Sequence, residues 1–385
     1  MSVRIFIMTH KQFDHPKNPM YQPLHVGHAK AADLGYMGDD TGDHISELNC
    51  YYSELTGIYW IWKNYHAADY VGVCHYRRYL IKESGKTFTA ADCERILKDY
   101  DLITTKKVEL NFSYHYGFGE NHNVEALDET GRVIAELYPE YYETFLKLVN
   151  ENKTYFGNIM ITSKAHFDAY AEWLFSIFFV VQKRIDLSAP DDYHRRVFGF
   201  ISEFLLYVYV TYHRWRAYEC KVGMIGEKAE TKELKQCLAQ FFLKRDAEGA
   251  KQYFDDILKK RPDVMMEASD ITGELRLSMQ TIATARQEVQ NGLPVILDHY
   301  QDFEQLMHFF STLNRIVSHY LNQEATDHDL KWICTEPVTF IGIEISALMQ
   351  TSDRKAISRC FKRIAKDCDK EELAQLLMER ARSYE

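Results

Sequence analysis

Apolar positions in the first part of the chain follow two different periods. Continuous apolar runs are typical of buried strands, and they lie at residues 3–9, 69–80, 101–107 and 154–163. Between them, segments such as SELNCYYSELTGIYWIWKN, which begins at Ser46, repeat apolar residues at helical spacing, whereas residues 108–135 have the character of a loop. Strands that alternate with helices predict an α/β fold with a mostly parallel sheet.

From about residue 229 the pattern becomes nearly all helical. Segments such as TKELKQCLAQFFLK and FEQLMHFFSTLNRIVSHYL repeat apolar residues three and four positions apart, and strand signals are few. A chain of 385 residues is also long enough for two domains. We therefore predict an α/β domain at residues 1–228, followed by an all-α domain at residues 229–385.

Composition and charge restrict the class of protein. The net charge of −10 argues against a broad electrostatic surface for nucleic acid. The most apolar run, at residues 201–213, is shorter than the ~20 residues of a membrane span, and the N-terminus has no signal-peptide pattern. Eight cysteines without a C-x-x-C pair indicate reduced thiols rather than a disulfide frame or a zinc site. We expect a cytoplasmic protein that binds no nucleic acid.

Several common catalytic signatures are missing from the sequence. Gly85-Lys86-Thr87 resembles the end of a phosphate loop, but Leu80 stands where that loop needs glycine. The chain has no G-x-G-x-x-G after its first strand, no H-E-x-x-H and no G-x-S-x-G. Dinucleotide oxidoreductases, P-loop ATPases, zincins and α/β-hydrolases are therefore not indicated.

The most specific candidate site is CHYRRYL, residues 74–80, where a buried strand ends. Ligands of α/β sheets bind at the carboxyl ends of strands, and guanidinium groups match phosphate oxygens bidentately. Arg77 and Arg78 could therefore hold a diphosphate and stabilise it as a leaving group, while His75 could contact phosphate, sugar or only the backbone. The alternative is an exposed basic turn, or structural ion pairs with acidic residues elsewhere.

A second candidate is the acidic segment GDDTGDHIS, which precedes a predicted helix. Asp39, Asp40 and Asp43 could accept hydrogen bonds from sugar hydroxyls or hold a divalent cation. An acidic turn followed by a capping serine would have the same sequence and needs no ligand.

Polar residues inside apolar segments form a third group of candidates. Glu54 lies among aromatic residues, so it requires either a polar ligand or an arginine partner. Asn158 enters a strand directly after a glycine, where it could bind sugar hydroxyls or satisfy the strand edge. Glu203 lies in an apolar helix, where burial would raise its pKa towards that of a general base, with Asp192 as a second choice. A neighbouring arginine could equally make Glu203 structural.

The helix predicted at residues 354–366 has apolar residues on one face and lysines and arginines mostly around the other. Such a helix could lie on an anionic membrane surface, which would place the protein at the inner face of the cell membrane. A basic face in contact with solvent is the alternative.

Four segments, taken in order, resemble one known family. They are THK at residues 9–11, DTGDHIS followed by ELTGIYWIWKN, the segment YVGVCHYRRY, and FGN followed by the FISE helix. Together they resemble the bacterial glycosyltransferases of capsular and exopolysaccharide synthesis, long described only as a domain of unknown function. The resemblance covers about residues 1–225, and the family pattern has Asn where this chain has His44.

The resemblance implies a GT-A-like fold and a UDP-sugar donor, with galactose in pyranose or furanose form as the first choice, and a glycan or lipid-linked glycan as acceptor. Thr9, His10 and Lys11 would then lie near the uracil and ribose. Arg77 and Arg78 would face the diphosphate. Glu54, Asn158 and the carboxylates of Asp191 and Asp192 would recognise sugars, and Asp40 and Asp43 would also bind the nucleotide sugar. Glu203, ahead of Asp192, would be the base if the reaction inverts the anomeric centre, whereas a retaining reaction needs no such base.

The resemblance also bears on metal dependence. In a GT-A-like fold an Asp-x-Asp metal motif usually follows the first long helix, and here His75, Tyr76, Arg77 and Arg78 take that place. The hypothesis is that cationic side chains supplement or replace the metal. The alternative is Mn²⁺ or Mg²⁺ bound by Asp39, Asp40 and Asp43.

Two other classes of function compete with a transferase. One is a non-catalytic carbohydrate-binding or scaffold protein whose helical half binds a partner. The other is a nucleotide-sugar hydrolase or phosphotransferase, which would release its product without a glycan acceptor.

Overall fold

The structure, a computed structural model, describes residues 2–188, 191–227, 229–265, 270 and 272–385. The chain divides into two compact units between Gly226 and Glu227, two residues before the predicted boundary at residue 228. Each unit has its own hydrophobic core.

The first unit contains strands and helices in alternation. The strands are β1 (Val3–Thr9), β2 (Tyr21–His25), β3 (Met37–Gly38), β4 (Tyr70–His75), β5 (Arg78–Ile81), β6 (Leu102–Thr105), β7 (Val108–Glu109), β8 (Lys153–Thr154), β9 (Met160–Ser163) and β10 (Ala217–Met224). The helices are α1 (Asn49–Tyr52), α2 (Leu55–Asn64), α3 (Ala90–Ile96), α4 (Tyr114–Gly119), α5 (Val124–Leu137), α6 (Pro139–Val149), α7 (Lys164–Val181), α8 (Asp192–Arg195) and α9 (Val197–Tyr212).

The main sheet is mixed, which corrects the prediction of a mostly parallel one. Its order is β3-β2-β1-β4-β5-β10-β6-β9, with a further pairing of β9 to β4. Strand β1 runs parallel to β2 and β4, and β6 runs parallel to β10. Strand β5 is antiparallel to β4 and β10, and β9 is antiparallel to β4 and β6. Hydrophobic runs show that strands are buried but do not show their direction, so the sequence could not separate these cases.

Three local predictions also need correction. The run at 69–80 is a hairpin, because Tyr76 and Arg77 reverse the chain between His75 and its partner Arg78. The helix predicted from Ser46 is interrupted at Ser53, where φ is 50°. The loop predicted at 108–135 contains α4 and most of α5, whose buried face includes Leu127, Val133 and Ile134. Polar residues on the other face of α5 masked its helical period.

Side chains of β1 alternate between the two faces of the sheet. Ile5 and Ile7 pack in the cluster that contains residues of α3, whereas Phe6 and Met8 pack in the larger cluster with α2, α7 and α9. Helix α9 is almost entirely apolar and mostly buried. Any carboxylate on this helix is therefore held in an apolar environment close to the sheet.

The second unit has helices and no strand among its described residues. They are α10 (Ala229–Leu243), α11 (Ala247–Lys260), α12 (Glu274–Gln290), α13 (Ile296–His299), α14 (Phe303–Asn322), α15 (Asp327–Thr335), α16 (Phe340–Gln350), α17 (Arg354–Asp367) and α18 (Glu371–Arg382). In the part of the chain that the structure describes, no helix combines the length and apolarity that a membrane crossing requires.

Candidate functional site

The carboxyl ends of three parallel strands lie side by side in the first unit. The register pairs Thr9 at the end of β1 with His25 at the end of β2, and Met8 with His75 at the end of β4. Ligands of α/β sheets bind beyond such strand ends. This edge therefore positions the candidate residues that follow.

Asn158 connects the polar residues of this region. Its Nδ2 atom donates to Glu54 Oε1 at 2.7 Å and to the Gly199 carbonyl oxygen at 3.1 Å. Its Oδ1 atom accepts from Ser202 Oγ at 3.0 Å. Asn158 is only 3% exposed, so this amide is a fixed link between the segment after Ser53 and helix α9.

The peptide groups of Gly157 connect Glu203 and His75. The Gly157 N–H donates to Glu203 Oε1 at 2.8 Å, and the Gly157 carbonyl oxygen accepts from His75 Nε2. Gly157 has φ of 93°, a conformation that residues with a Cβ rarely adopt, and Asn158 follows at 49°. The FGN motif therefore has two roles. It allows the unusual backbone conformation at Gly157 and Asn158, and it supplies the amide side chain of Asn158.

Burial sets the protonation of Glu203 and His75. Desolvation, assisted by the nearby Glu54 carboxylate, raises the pKa of Glu203 to about 8, although Arg78 and the Gly157 N–H oppose the shift. Desolvation lowers the pKa of His75, and Arg78 and Arg77 act in the same direction against Glu54. At neutral pH the ligand-free site therefore holds a mostly protonated Glu203 beside a neutral His75. A carboxyl that titrates near neutrality is suited to general-base catalysis.

Arg77 carries hydrogen-bond donors that the protein does not use. Its Nε and Nη1 atoms are buried and have no hydrogen-bond partner among the described residues. The centre of its guanidinium group lies 5.3 Å from the Tyr76 ring. Neither Arg77 nor Arg78 forms an ion pair with a carboxylate in the described parts of the chain, so the alternative of purely structural ion pairs lacks support there. Arg77 as a whole is half-buried, but buried donors without a partner cost free energy unless a ligand pairs with them.

The segment Thr9–Lys11 lies beside this turn. The Thr9 hydroxyl, which is buried, donates to the Lys11 carbonyl oxygen at 2.6 Å and accepts from the Lys11 N–H at 3.1 Å. The ring of His10 contacts that of Tyr76 edge to face at 5.4 Å. Thr9, His10, Lys11 and the arginine turn therefore occupy one edge of the sheet.

The acidic residues of the 38–46 segment have structural partners. Asp39 is fully buried and accepts from the N–H groups of Gly27 and His28 and from the Ser46 hydroxyl. Asp40 pairs with His28 at 2.8 Å. Ser46 thus anchors the loop through Asp39 and does not cap a helix through its side chain.

The third acidic residue is held elsewhere, since Asp43 accepts from the Tyr59 hydroxyl at 2.9 Å. Among the described residues, Asp39, Asp40 and Asp43 do not gather ligand atoms around one point as a bound ion would require. The three carboxylates therefore fit poorly as the ligands of one divalent cation.

Asp192 lies away from the contacts described above. Its side chain is 95% exposed and pairs with Arg195 at 3.1 Å on the short helix α8. The adjacent Asp191 caps this helix by accepting from the N–H groups of Tyr193 and His194. His44, which stands where the family pattern has Asn, has its Nδ1 atom 3.5 Å from Oε2 of Glu47.

The structure brings together a set of predicted residues and adds others. Glu54, His75, Arg78, Asn158 and Glu203 are linked directly or electrostatically, and we call these five residues the polar cluster. Sequence reasoning did not single out Ser202, Gly199 or Ser53. Gly199 of α9 lies close to Ser53, whose strained backbone directly precedes Glu54. The sequence shows only that small residues, Gly199 and Ser202, precede Glu203 in the same helix. What they contact becomes clear only in the folded structure.

His25 is a further residue that sequence reasoning missed. It is 1% exposed, and neither ring nitrogen has a hydrogen-bond partner among the residues that the structure describes. Burial lowers its pKa, so the ring is neutral and offers one donor and one acceptor. A histidine in a polar loop region carries no sequence signal of this kind.

Known proteins are similar to this chain in the part that carries the polar cluster. The family model described as a domain of unknown function (DUF4422) matches residues 4–214, which include the whole polar cluster. A solved structure described as the WbbM bifunctional glycosyltransferase in its apo state is 30% identical, with a TM-score of 0.55, and the match covers 59% of this chain and 46% of that chain. This chain thus spans less than half of that solved chain. No protein with a curated description matches this chain.

Proposed function

We propose, for a chain that belongs to the DUF4422 family, that it is a glycosyltransferase that moves a sugar from a nucleotide-sugar donor to a glycan acceptor. The observation that carries the proposal is Arg77, whose buried donors are unused at the end of a parallel strand. A pyrophosphate supplies oxygen acceptors and charge that complete this group. The likeness to a solved glycosyltransferase supports the same class of reaction.

In the proposed reaction Arg77 and Arg78 bind the diphosphate of the donor. The bond between the anomeric carbon and the diphosphate oxygen breaks, and the electron pair leaves on the diphosphate. The two guanidinium groups stabilise this developing charge, which is the type of electrostatic stabilisation that lowers a barrier most. We propose UDP as the nucleotide and galactose, in pyranose or furanose form, as the first sugar to test.

Glu203 is the proposed general base. As the acceptor hydroxyl oxygen bonds to the anomeric carbon, Glu203 takes the hydroxyl proton. A carboxyl with a pKa of about 8 is a stronger base than an ordinary glutamate once it is deprotonated, and an inverting reaction requires such a base. We therefore propose inversion at the anomeric carbon. Glu54 would orient sugar hydroxyls, with Asn158 holding it in place, and the segment Thr9–Lys11 would lie next to the nucleoside.

The neutralising charge in this proposal comes from arginine. Asp39, Asp40 and Asp43 each have protein partners and do not converge, so no step is assigned to a metal ion at these residues. Participation of Mn²⁺ or Mg²⁺ is tested by chelation, as described below.

The test is release of nucleoside diphosphate from a panel of UDP-sugars, measured on the full chain with and without a trial glycan acceptor. A transferase releases UDP at a rate that depends on the acceptor and forms a glycosylated product. Equal release without acceptor would identify a hydrolase. Binding of sugars without any turnover across the panel would favour the carbohydrate-binding alternative. Proton NMR of the product's anomeric centre distinguishes inversion from retention.

A further inference from the structure

Two cysteines of the second unit, Cys334 and Cys368, lie next to each other in the folded chain. Cys334 lies in α15, and Cys368 is the residue at which α17 ends. Their sulfur atoms are 3.5 Å apart, although 34 positions separate them in the chain. The carboxylate of Asp369 adds a third group, and one ligand atom from each of the three residues lies within 4.8 Å of the others. This group is the one set of three such side chains within mutual reach in the described residues.

The chemistry of the three groups suits a cation. Two sulfur atoms and one carboxylate oxygen lie within reach of one another. A divalent cation placed between them attracts the carboxylate and the thiolates that form when the ion binds.

The spacing of the two sulfurs also suits a shared ion. Two thiolates bound to Zn²⁺ at about 2.3 Å in tetrahedral geometry lie about 3.8 Å apart. The observed separation of 3.5 Å is close to this value, and it is far longer than the ~2.0 Å of a disulfide bond. Thiolate ligands select zinc over magnesium and calcium, which prefer oxygen ligands.

The segments that carry these ligands are held in place by the protein itself. Lys370, the next residue after Asp369, donates from Nζ to the carbonyl oxygens of Ile333 and Glu336 at 3.1 and 2.7 Å. These two acceptors lie on either side of Cys334 along the chain. The same two segments are therefore clamped without an ion, so the ligands are arranged before the ion binds.

We propose that Cys334, Cys368 and Asp369 bind one zinc ion, with water as the fourth ligand. Binding deprotonates both thiols, so two protons pass to solvent for each ion bound. The ion would connect α15 to the junction of α17 and α18 and thereby stabilise the second unit. This site is independent of the proposed transferase reaction.

The experiment measures zinc on the full chain, purified with a non-thiol reductant, loaded with zinc sulfate and desalted. We expect one zinc per chain by elemental mass spectrometry, with the affinity measured by competition against a chromophoric chelator. Cys334→Ser and Cys368→Ser should each lose the bound ion. Asp369→Asn should weaken zinc binding by about tenfold or more, since even indirect partners of a metal contribute that much. Because Asp369 is exposed, this variant is expected to fold normally.

Cys237→Ser is the matched control, because Cys237 is also a half-buried thiol of the second unit and is not part of the three-residue group. It should bind zinc as the unmodified chain does. The proposal is overturned if the unmodified chain retains no zinc, or if Cys334→Ser and Cys368→Ser retain it. A disulfide between Cys334 and Cys368 in zinc-loaded protein, detected by peptide mass, would also overturn it.

Discussion

Charged groups at two places in the molecule, one in each unit, differ in how far protein partners satisfy them. In the second unit Glu344 is 3% exposed and accepts from Arg380 Nε at 2.6 Å and from the Tyr384 hydroxyl at 2.5 Å. Lys235 is 6% exposed and is paired with the carboxylates of Glu227 and Glu274. These charges are satisfied within the protein, and their role is structural.

In the first unit Arg77 and Glu203 have fewer protein partners than these groups. Arg77 has two buried nitrogens without partners, and Glu203 accepts one backbone hydrogen bond while burial raises its pKa to about 8. A protein does not gain stability from such an arrangement, because buried polar atoms without partners and buried carboxyl groups cost free energy. The difference indicates that Arg77 and the polar cluster are arranged for a ligand, whereas the pairs of Glu344 and Lys235 in the second unit are arranged for folding.

The largest expected effect is that of Glu203→Gln. The amide keeps an oxygen for the Gly157 N–H but cannot accept the acceptor's proton, so the turnover number should fall by about 10²–10⁴-fold. Donor affinity should stay within a few-fold. The measurements are initial rates with saturating acceptor and calorimetric binding of the donor.

The matched change in the second unit is Glu344→Gln, which also removes a buried carboxylate. It should lower the melting temperature without changing turnover, because Arg380 loses a charged partner. Full activity of Glu203→Gln would remove this residue from the mechanism. Equal loss of activity in both variants would mean that both effects come from misfolding.

The next largest effect is expected for Arg77→Ala. Loss of charge-assisted hydrogen bonds to a diphosphate should weaken donor binding by about 10–100-fold, since each such bond contributes about 1.5–3 kcal/mol. Folding stability should fall by less than about 1 kcal/mol, because the side chain uses neither Nε nor Nη1 in the ligand-free protein and loses only a contact with the Tyr76 ring. Isothermal titration with UDP and with a UDP-sugar, together with thermal unfolding, checks both parts.

Two controls sharpen this result. Arg132→Ala removes an exposed arginine of the same unit, paired only at the surface with Glu129, and should leave donor binding unchanged. Arg380→Ala should lower stability by about 1–3 kcal/mol, because Glu344 loses a buried hydrogen bond. Unchanged nucleotide affinity in Arg77→Ala would count against the site assigned to the diphosphate.

A smaller, graded effect is expected from pH. If Glu203 is the base, it must be deprotonated, so kcat/KM should rise about tenfold per pH unit below its pKa and level off above about 8. The stability change has the opposite sign. A carboxyl whose folded pKa is raised above its unfolded value destabilises the fold as pH increases from the unfolded to the folded pKa, here from 4.5 to about 8.

Glu203→Gln supplies the control for both profiles. Its residual activity should lack the rise towards pH 8. Its stability should decline less than that of the unmodified chain between pH 5 and pH 8, because the glutamine has no carboxyl that titrates between 4.5 and about 8. Parallel pH profiles of the two proteins would assign the ionisation to another group.

The polar cluster could be predicted in its members but not in its connections. Glu54, Asn158 and Glu203 stood out because each is a polar residue in an apolar segment, and burial of such groups demands a partner. That Asn158 joins Glu54 to α9, and that the Gly157 peptide groups join Glu203 to His75, depends on contacts between residues 41 to 104 positions apart. Periodicity carries no information on such contacts.

In the fold, too, local elements could be predicted from the sequence, whereas contacts between distant residues could not. Strand β1 covers the run predicted at residues 3–9, since a short apolar run with β-branched residues has few alternatives. The hairpin between β4 and β5 was not predicted, because Tyr76 and Arg77 are not the glycine or asparagine that mark two-residue turns. Similarly, Cys334 and Cys368 meet only in the folded chain, so their wide spacing matched no metal motif.

The smallest expected effect on transfer is that of chelation. This treatment should affect the second unit, through its zinc ion, and leave the reaction of the first unit unchanged. Because Arg77 and Arg78 supply the charge at the diphosphate, EDTA followed by desalting should leave the transfer rate within about twofold of the untreated rate, a change of less than ~0.5 kcal/mol in the barrier. The same treatment should remove zinc from Cys334 and Cys368 and lower the melting temperature, since an ion that binds only the folded state stabilises it. Complete loss of transfer that Mn²⁺ or Mg²⁺ restores, and zinc does not, would show that the arginines require a metal at the donor site. We expect retained transfer together with lower thermal stability. The reaction in the first unit depends on Arg77 and Arg78, which chelation does not affect, whereas the fold of the second unit loses the stabilisation that the zinc ion provides.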